Sequence, residues 1–85
     1  MDIQLRFFAS VRETLGTGQE ALALPSDVRT VGELRAFLRQ RGGVWQQVLA
    51  EGRALRVACN QRMADAATAL EDGAEVAFFP PVTGG

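Results

Sequence analysis

Residues 75–85 read Glu75-Val76-Ala77-Phe78-Phe79-Pro80-Pro81-Val82-Thr83-Gly84-Gly85. The first five alternate as a strand does, with Val76 and Phe78 on one face and Ala77 and Phe79 on the other. Pro80 cannot donate to a ladder and ends the strand. Pro80 and Pro81 fix φ near −65° and favour extended backbone. The β-branched Val82 and Thr83 also favour extension. Gly84 and Gly85 carry no Cβ, so a narrow channel in another protein can close around them. Six residues from Pro80 to Gly85 span ~18–20 Å when extended. The stretch therefore predicts a last strand that runs straight into a lever, with a carboxylate at Gly85 held out from the body. A carboxylate is a poor electrophile and must be activated before it carries a group, typically as a mixed anhydride with a nucleotide phosphate. No phosphate-cradling glycine loop is present in these 85 residues, so the expected source of activation is an ATP-using partner.

The rest of the chain reads as the body that presents this tail. Ile3, Leu5 and Phe7 alternate with Gln4, Arg6 and Phe8, a strand with one buried face. Phe8 falls on the outer face. It is either covered by a neighbouring element or left as an exposed apolar anchor for a partner. Ala9–Leu15 reads as a short helical turn with Ser10 as a cap, closed by Gly16 and Gly18. Glu20–Leu24 reads as a second strand, and Pro25-Ser26-Asp27 as a turn.

Thr30-Val31-Gly32-Glu33 matches a capping box, and the helix it opens is expected to run to about Arg41 before Gly42-Gly43. Val31, Leu34, Phe37 and Leu38 form its apolar stripe. Arg35, Arg39 and Arg41 read as a solvated face, placed where positive charge suits the helix dipole. A short helix over Val44–Ala50 with Trp45 in the core comes next, and then a strand over Ala54–Cys59 with Leu55, Val57 and Cys59 inward. Asn60-Gln61 begins a turn. A short edge strand is expected near Met63, and Leu70-Glu71-Asp72-Gly73 is a turn. The simplest packing is one mixed α+β sheet of about five strands covered on one face by the Thr30–Arg41 helix. The first and last strands lie side by side at its centre. Residues 1–79 form the domain and 80–85 the tail.

Composition narrows the chemistry. There is no histidine and no tyrosine, and all nine basic residues are arginine. That removes the commonest general base, side-chain Schiff bases and the usual zinc ligand sets, so no metal site is expected. One cysteine, Cys59, has no histidine to activate it and reads as a structural, partly apolar residue. A net charge of −1 gives no reason to expect nucleic acid or anionic membrane as a partner. No apolar run reaches the ~20 residues of a membrane span, and no signal-peptide pattern is seen, which together point to the cytoplasm.

Several segments carry a family likeness: Leu5-Arg6-Phe7-Phe8-Ala9 with Val11-Arg12-Glu13, Asn60-Gln61, Asp72–Phe79, and above all the tail. On these residues the chain resembles the small, sulfur-carrying subunits of molybdopterin synthase, which have the ubiquitin-like β-grasp fold. The resemblance implies a non-catalytic, sulfur-donating subunit of a sulfurtransferase complex that binds no cofactor stably. A ubiquitin-activating-like adenylyltransferase would use ATP to adenylate the Gly85 carboxylate, with Gly84 behind it in the channel. Sulfur would replace AMP to give a thiocarboxylate. The tail, Pro80, Pro81, Val82 and Thr83 included, would then enter the large synthase subunit in a heterotetramer and pass sulfur to cyclic pyranopterin monophosphate. By the same resemblance Phe8, Met63 and Phe79 contact both partners, and Arg12 pairs with an acidic partner residue. Other readings are a ubiquitin-like protein modifier joined through Gly85, a sulfur carrier for thiamine thiazole synthesis, and a plain interaction module. The Phe-Phe-Pro-Pro stretch and the chain length weigh against the thiazole carrier.

Overall fold

A computed structural model describes residues 1–81. It contains β1 (Asp2–Phe7), α1 (Ala9–Leu15), β2 (Gln19–Ala23), α2 (Val31–Arg39), α3 (Val44–Val48), β3 (Arg56–Cys59), β4 (Arg62–Ala64) and β5 (Glu75–Phe79). The five strands form one sheet in the order β2-β1-β5-β3-β4. β1 and β5 are neighbours at its centre, as expected, and they pair in parallel, with Leu5 opposite Val76 and Phe7 opposite Phe78. The other pairings are antiparallel. This is the β-grasp arrangement.

Strand parity decides the core. Ile3, Leu5 and Phe7 of β1 and Val76 and Phe78 of β5 are buried on one face, where Val31, Leu34 and Leu38 of α2 meet them. Each such side chain contributes ~1.5–3 kcal/mol when removed from water. Phe37 completes the α2 stripe but is only partly buried. Trp45 of α3 packs edge-on against Phe7, with ring centroids 5.6 Å apart and planes at 77°. It thus joins the core margin, in line with its sequence reading.

The predicted capping box is present. The Glu33 amide donates to Thr30 Oγ1 at 3.2 Å, and Thr30 N donates back to Glu33 Oε1 at 3.1 Å. The Arg29 amide donates to the same carboxylate at 3.0 Å. These amides, Arg29's foremost, hold the Glu33 carboxyl below its usual range. The remaining N-terminal donors of α2 are met from across the fold: Val31 N bonds the Thr68 carbonyl at 3.0 Å, and Gly32 N that of Ala66 at 2.9 Å.

Four local expectations are corrected. α1 is preceded by Phe8, not capped by Ser10. Phe8 is extended, Ala9 takes φ 53°, and no side chain caps the helix, because the chain leaves β1 through a sharp reversal rather than a polar turn. Gly16 does close α1, at φ 77°. α2 stops at Arg39, two residues early, since Gln40 and Arg41 turn through shorter bonds to Phe37 and Leu38. β3 starts at Arg56 rather than Ala54, where its pairing with Phe79 begins.

The fourth, the solvated arginine face, fails most clearly, because Arg35, Arg39 and Arg41 are not simply solvated. Arg35 Nε donates to the Leu49 carbonyl at 2.7 Å, and its Nη2 to the carbonyls of Ala50 and Arg53. Burial pushes its guanidinium pKa down. Arg39 reaches Leu49 O and Glu51, each at 3.4 Å. Arg41 pairs with Glu20 and lies 4.4 Å from the Trp45 ring centroid. These side chains fasten α2 to the segment after α3 and to β2.

The outer sheet face as a candidate docking site

The second face of the sheet carries no helix. Register across four strands composes it. Phe7 pairs with Phe78, so Phe8 lies level with Phe79, and the Phe8 amide donates to the Phe78 carbonyl at 3.2 Å. Phe79 in turn faces Arg56 of β3. One step back, Arg6 is opposite Ala77, Ala77 opposite Ala58, and Ala58 opposite Met63 of the edge strand. Two alanines thus form a low floor, with Phe8, Phe79 and Met63 around it and Arg6 and Arg56 at the margin.

Exposure agrees with this geometry. Phe8 is 48% and Met63 61% exposed, unusual values for large apolar side chains. Phe79 is partly buried, and so are Pro80 and Pro81, which follow it off the sheet. Arg6 lies 3.6 Å from Glu75 on the same face, an exposed pair of small energetic weight.

Phe8, Met63 and Phe79, named separately in the sequence, therefore come together on one surface at the root of the tail. Arg12 does not join them there. Its side chain lies along Gly18 at the start of β2, where a Cβ would stand 3.0 Å from Nε. Val82, Thr83, Gly84 and Gly85 lie outside the described residues. The face also includes Arg6, Arg56, Ala58 and Ala77. Alternation marks all four as outward, but only the strand order makes them neighbours of Met63 and Phe79.

No polar or charged side chain among the described residues is buried, and no group of three His, Cys, Asp or Glu among them could hold a metal. Cys59 is a free, half-buried thiol whose pKa burial pushes up, as its structural reading anticipates. An open groove of about 560 Å³ runs past it between Arg62, Thr68 and Glu71. No helix among the described residues is long and apolar enough to cross a membrane.

Comparison with known proteins agrees with this arrangement of strands. The chain is 41% identical to the molybdopterin synthase sulfur carrier subunit of Haemophilus influenzae and 43% identical to that of Escherichia coli, over 98% of this chain and 99% of each relative. It is 36% identical to small archaeal modifier protein 3 of Haloferax volcanii over the full length of both. Among solved structures, a Haloferax volcanii protein in solution superposes with a TM-score of 0.80 at 34% identity, covering all of this chain and 87% of that one. A complex of subunits 1 and 2 of molybdopterin-converting factor from Helicobacter pylori matches with a TM-score of 0.68 at 27% identity, over the whole of both chains. The profile of the ThiS family matches residues 5–85, tail included, and the chain belongs to that family.

Proposed function

We propose that this protein is the sulfur carrier subunit of a molybdopterin synthase. The observation that carries the reading is its end-to-end likeness, above 40% identity, to two proteins of that name. The Helicobacter pylori complex of the two converting-factor subunits supports a large-subunit partner, and a heterotetramer of two small and two large subunits is the assembly we propose. The central strand β5 of this chain leads directly into Pro80 and the tail. The reactive group is then the Gly85 carboxylate.

In the proposed cycle a carboxylate oxygen of Gly85 attacks the α-phosphate of ATP on a ubiquitin-activating-like adenylyltransferase, and pyrophosphate leaves. A sulfur nucleophile displaces AMP and leaves a thiocarboxylate. In the large subunit this sulfur passes to cyclic pyranopterin monophosphate, and a water oxygen restores the carboxylate. Phe8, Met63 and Phe79 dock successive partners on the outer face, and Pro80 to Thr83 carry Gly84 and Gly85 into the partner's channel. Arg12, on α1 and away from that face, meets an acidic residue of the partner. ATP belongs to the activating partner, no cofactor stays bound, and the cycle runs in the cytoplasm.

The second reading, a protein modifier, is favoured by the 36% identity to small archaeal modifier protein 3. Intact-mass analysis of protein isolated from its own cells separates the two. Exchange of one oxygen for sulfur at Gly85 is the expected result. Isopeptide adducts in place of it would favour the modifier. Protein that never gains sulfur from the activating enzyme, ATP and a sulfur donor would end the carrier reading.

A further inference from the structure

An activated carboxylate acylates whatever nucleophile it meets, and its nearest neighbours are the side chains of its own body. Resting on the functional reading above, we infer that this chain is a donor with no acceptor: its activated terminus does not acylate the chain that carries it. Three features of the nucleophile inventory converge on this.

The first is chemical. All nine basic side chains are guanidinium groups and none is an amine. A guanidinium stays protonated at any working pH and has no free pair to attack a carbonyl, whereas a lysine always supplies some neutral amine. Arg56 is the direct strand partner of Phe79, and Arg6 lies one strand away beside Ala77. Lysine at such positions would sit within reach of a six-residue tail.

The second is topological. The remaining amine is that of Met1, which donates to the Leu24 carbonyl at 3.4 Å. β1 and β5 are parallel, so Phe79, the last residue of β5, stands at the end of the sheet opposite Met1. Phe8, level with the tail root, is seven residues from Met1, about 23 Å of strand. Six tail residues reach about 20 Å even fully extended, and turning back shortens that further.

The third concerns Cys59, level with Val76 on the helix-facing side of β3. It packs against the core cluster, and burial raises its pKa, which keeps the thiolate scarce.

The reaction avoided is ordinary aminolysis. An amine nitrogen would form a C–N bond to the Gly85 carbonyl, the bond to AMP or sulfur would break with its electron pair, and the amine proton would go to water. The test makes the electrophile chemically, without the partner enzyme. The 85-residue chain is prepared as its Gly85 thioester by intein thiolysis, for wild type and Arg53→Lys, and followed by intact mass at micromolar concentration and mildly alkaline pH. Arg53 has an exposed side chain in the loop just before Arg56, at the tail-root end of the sheet. Wild type is expected to give only the free acid. Arg53→Lys is expected to accumulate a product one water lighter than the acid and resistant to hydroxylamine. An effective concentration near millimolar makes this about 100-fold faster than attack by another copy at ~10 μM. A monomeric water-loss product from wild type would overturn the inference, whether resistant to hydroxylamine, as an amide to Met1 would be, or labile to it, as an acyl bond to Cys59 or to a hydroxyl would be. Absence of any lactam from Arg53→Lys would also overturn it, since arginine would then not be what protects the body. Failure of enzymatic sulfur loading bears on the functional reading alone and leaves the thioester result unchanged.

Discussion

Replacing Arg35 with methionine should cost this domain about 2–3 kcal/mol. Methionine keeps much of the aliphatic stem that lies along α2 and removes the donors. Three carbonyls lose a partner, those of Leu49, Ala50 and Arg53. Leu49 is fully buried, while Ala50 is partly and Arg53 largely exposed. Water can therefore replace the guanidinium at Ala50 and Arg53, and the loss there is small. At Leu49 the only substitute is the longer 3.4 Å contact from Arg39, so a mostly unsatisfied buried acceptor remains, at a cost of ~1–3 kcal/mol. An 85-residue domain has roughly 4–13 kcal/mol in all, so the variant should melt about 8–20 °C lower. Urea denaturation should show a lower midpoint with an unchanged slope. Because the acceptors are neutral, the loss should persist in 1 M salt, unlike that of an exposed ion pair. Arg35→Lys should recover part of it, since one ammonium cannot span three carbonyls. A loss below ~0.5 kcal/mol, or one abolished by salt, would refute the claim that this arginine clasps the segment leading to β3.

Three further outcomes are expected. Met63→Asp places a charge on the outer face without entering the core. It should weaken binding to the large synthase subunit by about tenfold or more in titration calorimetry while leaving the urea midpoint unchanged; unchanged affinity would remove Met63 from the docking surface. Arg41 holds the Glu20 carboxyl below its usual range, chiefly through their hydrogen bond. Its folded pKa is depressed, so the pair stabilises above the unfolded value of 4.5 and the contribution disappears as pH falls through the lowered value. Glu20→Gln should therefore be less stable than wild type by about 0.5–1 kcal/mol at pH 7, with the gap closing below pH ~4; a constant gap in pH-dependent denaturation would contradict this. Asn60 and Gln61 both have positive φ, 50° and 66°, in the two-residue β3–β4 turn. Gln61→Gly relieves a left-handed non-glycine residue and should raise stability by about 0.5–1 kcal/mol, and a lower melting temperature would count against it.

Much of this protein is legible in one dimension because its signals are local. The alternation of Ile3, Leu5 and Phe7 assigns the buried face of β1 without knowledge of any other strand. Thr30 and Glu33 satisfy each other within one turn, so the start of α2 is written in four residues. Pro80 ends β5 by its own covalent structure. The absence of histidine and lysine is likewise a property of the sequence, and it directs attention to Gly85 before any fold is known.

What the sequence could not decide are the relations between segments distant along the chain. Arg35 reads as a surface residue because its three carbonyl partners lie 14 to 18 residues away, and only the path after α3 brings them under the guanidinium. Arg6, Arg56, Ala58 and Ala77 are outward by parity, yet the candidate docking face is assembled only because β5 inserts between β1 and β3 and sets Phe79 between Phe8 and Arg56. The glycine-tipped tail was determined by the sequence alone. The surface at its root, with Phe79 at the end of the sheet opposite Met1, was decided by the parallel pairing of the first and last strands, because hydrogen-bond register is a property of two segments together and of neither one by itself.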